Sequence, residues 1–140
     1  MPGNDWSQPT LPGMGGKAFV QRSLNSTQFD WDQIVARHPE MAEHEDAVHV
    51  LAHGDDDMDH SAHDLVYRYK DVDPWKVKSN VLDDGRRQRA AEGYRSGAKV
   101  PPPLLVRRGS TTWPADGNHR ISGARLAGMD TVRAVVASKK

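Results

Sequence analysis

From Leu104 to Val136 the chain changes element type in an order that few architectures accommodate. Leu104, Leu105 and Val106 read as a strand, Gly109-Ser110 as a turn, and Thr111, Thr112 and Trp113 as a second strand. Asp116-Gly117-Asn118 breaks the extended pattern. A helix is expected from Asn118 or His119 to Ala127, stopped by Gly128, and Val132 to Val136 makes a further strand. This β-turn-β-α-β unit predicts an α+β fold: a small mixed sheet with flanking helices.

The residues before this unit divide by composition. Residues 1 to 29 are expected to form an extended arm, because Pro2, Gly3, Pro9, Pro12, Gly13, Gly15 and Gly16 interrupt every periodic run. Gly16-Lys17 is not a Walker loop, since Leu11 and Ala18 stand where that pattern needs Gly and Ser or Thr. Residues 30 to 64 read as a short, acidic, His-rich helical segment. Asp30 and Gln33 suit a capping box, Trp31, Ile34 and Val35 give an apolar face, and His38-Pro39 ends the helix. A second helix is expected from Glu40 to His53, with Met41, Val48 and Leu51 on one stripe and Gly54 as its stop. Residues 65 to 140 form the expected domain, entered by a strand over Leu65 to Tyr69 that Asp73-Pro74 closes. A helix from Asp84 to Gly97 turns Ala90, Ala91 and Tyr94 inward.

Charge is divided even more sharply than element type. Up to Asp83 there are 7 basic and 15 acidic residues, and after it 12 basic and 4 acidic, although the whole chain of 140 residues is neutral. Such a split predicts either two faces that pair within the molecule or a basic face kept for phosphate or nucleic acid. The chain has no cysteine, which excludes disulfides, thiolate metal sites and cysteine nucleophiles. No apolar run approaches the roughly 20 residues of a membrane span, and Met1 to Gly16 lacks a signal-peptide pattern. A cytoplasmic protein without a membrane partner is therefore expected.

The residues that carry chemistry lie at the strand-to-helix turn. A glycine there lets the backbone approach a ligand, and the first helical N–H groups lack internal acceptors, so the turn is suited to an anion. Arg120 adds a guanidinium fork, His119 donates to a phosphoryl oxygen or moves a proton, and Asp116 orients either one or holds a metal ion. The candidate phosphate-binding residues are Gly117, Asn118, His119 and Arg120, and the candidate catalytic residues are Asp116, His119 and Arg120. The competing reading of this turn is a structural salt bridge between Arg120 or His119 and Asp116.

Val100-Pro101-Pro102-Pro103-Leu104-Leu105-Val106, then Asp116-Gly117-Asn118-His119-Arg120, then Leu126-Ala127-Gly128 and Val132 to Val136, resembles the ParB/sulfiredoxin superfamily. That resemblance implies nucleotide or phosphate binding shared across different reactions, with ATP or CTP and magnesium as the cofactors to expect. It extends to chromosome-segregation proteins, sulfiredoxins, free-serine kinases and nuclease-like phage or plasmid proteins. Sulfinic-acid chemistry is not expected, because no Cys precedes His119-Arg120. Asp-Gly-Asn-His-Arg stands where the segregation proteins usually carry Gly-Glu-Arg-Arg, and no helix-turn-helix region is expected after Val136.

Two further groups of residues have both a functional and a plain reading. Arg86, Arg87, Arg89, Arg107, Arg108 and Arg125 form a candidate nucleic-acid surface, against which stands a solvated helix face. His49 and His53 have the helical spacing of paired metal ligands that His60 and His63 could complete to a tetrahedral site; the alternative is an exposed acidic, His-rich segment. Asp55, Asp57 and Asp59 do not make a calcium loop, since His60 and Val66 replace its Gly and Glu. The expected function is a ParB-like phosphate- or nucleotide-binding protein acting on or near DNA, as a nuclease, a nucleotide hydrolase or a non-catalytic binder. The alternatives are an interaction module whose acidic half docks on a partner protein, and a small-molecule kinase.

Overall fold

The computed structural model describes residues 27–54, 61–79, 84–98 and 100–140. The expected arm up to residue 26, the acidic run from Asp55 to Asp59, and His60 lie outside these residues. In chain order the elements are helix α1 (Trp31–Arg37), a 3-10 segment (Pro39–His44), helix α2 (Glu45–His53), strand β1 (Leu65–Val72), helix α3 (Asp84–Ser96), strands β2 (Leu104–Arg108) and β3 (Thr111–Asp116), helix α4 (Asn118–Leu126) and strand β4 (Val132–Lys139). The fold is α+β with a four-stranded mixed sheet in the order β1-β4-β2-β3.

Strand β4 is an inner strand, buried on both faces from Val132 to Ala137, with Arg133 as its one charged residue there, 3.3 Å from Asp71 of β1. It runs antiparallel to β1, from Leu65 opposite Lys139 to Val72 opposite Val132, and parallel to β2, with Leu104 opposite Val135. Its alternate side chains feed two cores. Val135 and Ala137 join Leu65, Tyr67, Tyr69, Leu104 and Val106 on one face, where Trp31, Ile34, Met41, Val48 and Ala52 of the amino-terminal segment cover them. On the opposite face Val132, Ala134 and Val136 pack with Leu105, Val77, and Ile121 and Ala124 of α4.

The acidic segment is thus one wall of the core. Asp30 and Gln33 form the expected capping box, each backbone N–H bonding the other's side chain at 2.9 Å. Phe29, the last residue of the expected arm, is buried and pairs with Tyr67 through bonds of 2.9 and 3.0 Å. The helix expected from Glu40 to His53 is broken into a 3-10 segment and α2, the break starting where the Met41 N–H reaches the His38 carbonyl at 2.9 Å. The final strand extends three residues past its expected end at Val136, because β1 offers partners as far as Leu65.

Candidate anion-binding site

Asp116 ends β3, and Gly117 turns the chain into α4 with φ 109° and ψ 25°. Only glycine suits this position twice over. Its left-handed backbone disfavours other residues, and an added Cβ would stand 2.6 Å from the Pro103 Cβ. The Pro-Pro strand entry therefore presses directly on the turn. Gly117 also provides no side-chain cap, so the first-turn N–H groups of α4 remain available to an anion.

A second close approach brings α3 over this turn. A Cβ on Gly123 of α4 would meet Ala90 Cβ at 2.6 Å and the Arg87 carbonyl oxygen at 2.9 Å, so the two helices touch backbone to backbone. That contact carries Arg86 and Arg89, one turn of α3 apart, to the rim of a cleft of about 430 Å³ whose opposite wall holds Asp116, Gly117, His119 and Arg120. Residues expected to act in two separate roles thus surround one concavity, with three guanidinium groups and one carboxylate on its lining.

The Arg120 guanidinium is held on one side. Its Nη1 donates to the Pro102 carbonyl at 3.3 Å and lies 3.5 Å from Asp116 Oδ2. The structural salt bridge weighed from sequence is present. Both contacts run through Nη1, which leaves Nε and Nη2 of the fork for a ligand. Asp116 is also approached by His44 Nε2 at 3.4 Å, and His44 in turn lies 3.3 Å from Glu43. Asp116 thus lies between Arg120 and His44.

His44 is a site neighbour that sequence reasoning missed. It lies in the His-rich segment, and no spacing rule links it to a turn 72 positions later. Below the site lies His38, buried with Tyr69, its Nε2 2.6 Å from the Tyr69 hydroxyl. Burial, with the charges of Arg37 and Arg120 added, pushes His38 down to about 4, and burial raises Tyr69 to about 12. The pair is a neutral hydrogen bond at pH 7.

The other expected basic residues do not converge on the cleft. Arg87 is drawn back along its own helix to Asp84. Arg107 donates to the Gly109 carbonyl at 3.3 Å, and Arg108 lies beside α2 and Trp113 in a different groove. Arg125 is a structural tie: Nε and Nη2 donate to the Pro74 and Val77 carbonyls at 2.8 and 2.6 Å, and its guanidinium covers the Trp75 ring at 5.3 Å. His49 and His53 are adjacent, with ring centroids 5.5 Å apart, while His63 lies 3.4 Å from Asp32. Among the described residues no three His, Asp or Glu side chains gather as a metal site. No described helix is long and apolar enough to cross a membrane.

No family model matches the chain, and no curated protein matches it in sequence. Among solved structures, sulfiredoxin from Arabidopsis thaliana is similar over 50% of this chain and 84% of its own, with 15% identity and a TM-score of 0.44. A Pnob8-like ParB-N domain is similar over 53% of this chain, with 18% identity and a TM-score of 0.41; the match spans 30% of that chain's length. Both similarities concern about half of this chain.

Proposed function

We propose that the cleft between α3 and the Asp116–Asn118 turn binds a phosphate group, and that the protein is a ParB-like phosphate- or nucleotide-binding protein acting on or near DNA. The observation that carries this reading is the convergence of Arg86 and Arg89 with Arg120, His119 and Gly117 around one concavity. Arg120 supplies a preoriented fork, the α4 N-terminus supplies backbone donors, and the two α3 arginines close over the outer phosphate oxygens. For a nucleotide such as ATP or CTP, magnesium would be held chiefly by the phosphates, because Asp116 is already engaged by Arg120 and His44. His119 is the proton-transferring side chain if a phosphoester is cleaved here.

Thermal-shift screening of inorganic phosphate, ATP, CTP, ADP and GTP, with and without magnesium, tests the site; a ligand at 100 times its Kd adds about 2.7 kcal/mol and several degrees. Arg120→Ala should weaken the best ligand by about 1.5 to 3 kcal/mol in calorimetry, the value of a charge-assisted hydrogen bond. Equal affinity in parent and variant would leave Arg120 only its structural bonds to Asp116 and Pro102.

A further inference from the structure

A second groove runs along the hairpin on the sheet face that carries α2, and its centre is Trp113. Two adjoining hollows of about 450 and 290 Å³ share Leu51 and Trp113 as walls. One hollow is completed by Lys78, Ser79, Pro114 and Asn118, and the other by Val50, Arg108 and Thr111. The side chains alternate in kind: a cation at each end, an indole between them, and small hydroxyl or amide groups beside it. Among the described residues no carboxylate lines either hollow.

We propose that this groove binds single-stranded nucleic acid, with a base stacked on Trp113 and the flanking phosphates met by Lys78 and Arg108. The Lys78 ammonium now lies over the indole, 5.0 Å from the ring centroid. Lys78 is exposed and has a flexible four-carbon stem, so it moves aside to a phosphate while the base takes its place on the ring. Arg108 is likewise exposed, at the β2 end of the hairpin turn. Pro114 and Leu51 supply apolar edges for the base, and the Ser79 hydroxyl and Asn118 amide, which share a bond of 3.2 Å, supply polar groups at its rim. A cation beside an aromatic face, with a second cation in the adjoining hollow, is the combination of groups that holds single strands. A duplex keeps its bases stacked internally and cannot offer one to the indole.

Fluorescence anisotropy with a labelled 12-nucleotide oligothymidylate and the full chain tests this proposal. Trp113→Ala should reduce affinity about tenfold, while Trp113→Phe retains most of it. The double variant Lys78→Gln, Arg108→Gln, in which both positions are exposed, should reduce the slope of log affinity against log salt by about 1.4, the value for two single-strand phosphates. Trp113→Ala should keep the parent's affinity for inorganic phosphate in calorimetry, which separates this groove from the anion cleft. Oligonucleotide affinity unchanged in Trp113→Ala and an unchanged salt slope in the double variant would overturn the proposal. So would duplex of the same length binding equally well, or thymidine monophosphate competing as strongly as the oligonucleotide. If Trp113→Ala loses its folded far-ultraviolet spectrum, Trp113→Phe and the double variant decide the matter.

Discussion

At the scale of single residues, folding controls the protonation of a buried histidine. His38 is 2% exposed and hydrogen-bonded to Tyr69, and its value is lowered from 6.5 to about 4 by burial first and by Arg37 and Arg120 after it. The unfolded chain takes up a proton below about 6.5, but the folded chain resists it until about 4, so in this window the unfolded state binds more protons. Stability is therefore fully present above pH 6.5 and declines as pH falls towards 4, by a total of about 3 kcal/mol. Urea midpoints measured between pH 4 and 7.5 should show this fall in the parent. His38→Gln retains a hydrogen-bonding side chain for Tyr69 and cannot ionise, so its midpoints should fall less over the same range. Parallel curves for the two proteins would mean that other groups carry the acid sensitivity. Sequence shows His38 only as part of a helix stop, because its burial and its hydrogen bond to Tyr69, 31 residues away in β1, arise from tertiary packing.

At the scale of elements the site depends on how tightly α3 meets α4. Gly123 does not line the cleft, yet a side chain there would press on Ala90 and on the α3 backbone at 2.6 to 2.9 Å. Gly123→Val should therefore cost about 1 to 3 kcal/mol, the usual range for overpacking, and should also weaken phosphate binding by displacing Arg86 and Arg89. Denaturant unfolding and calorimetry on the same variant check both effects; lost stability with unchanged phosphate affinity would show that α3 is not part of the site. Local chemistry made several elements legible in advance. The Asp30/Gln33 cap, the glycine after α3 and the turn at Gly117 act through neighbours within a few positions, which a sequence displays. Strand β3 runs past the expected Thr111 to Trp113 as far as Asp116, through a proline that cannot donate to a ladder. In the fold Pro114 sits opposite Leu105, beside the irregularity between Leu104 and Leu105, on the edge strand where a missing donor costs little. The motif residues Gly117, His119 and Arg120 could be picked out because they are contiguous. Their meeting with Arg86 and Arg89 could not, since it follows from helix packing between distant segments.

Across the whole molecule the charge split acquires a geometry. The acidic segment places Trp31, Ile34, Met41 and Val48 against one face of the sheet and keeps Asp30, Asp32, Glu43 and Asp46 exposed, while α4, with α3 packed on it, lies on the other face. Four strands thus separate most of the acidic helices from the basic α3, and His44 reaching Asp116 is one point where the segment touches the cleft's lining. Removing the acidic segment would therefore uncover apolar sheet and leave the Arg86 and Arg89 side of the cleft as it is. Each of these four large buried side chains contributes about 1.5 to 3 kcal/mol, so together they approach the whole margin of about 5 to 15 kcal/mol by which a domain is stable. A chain beginning at Ser61 should accordingly lack a cooperative thermal transition. One beginning at Thr27, which keeps Phe29 and its pairing with Tyr67, should retain the transition. Circular dichroism melts of the two fragments beside the full chain check this. A cooperative melt from the fragment starting at Ser61 would show that the strands and the two later helices fold alone, and that the acidic segment only covers a core already able to hold itself together.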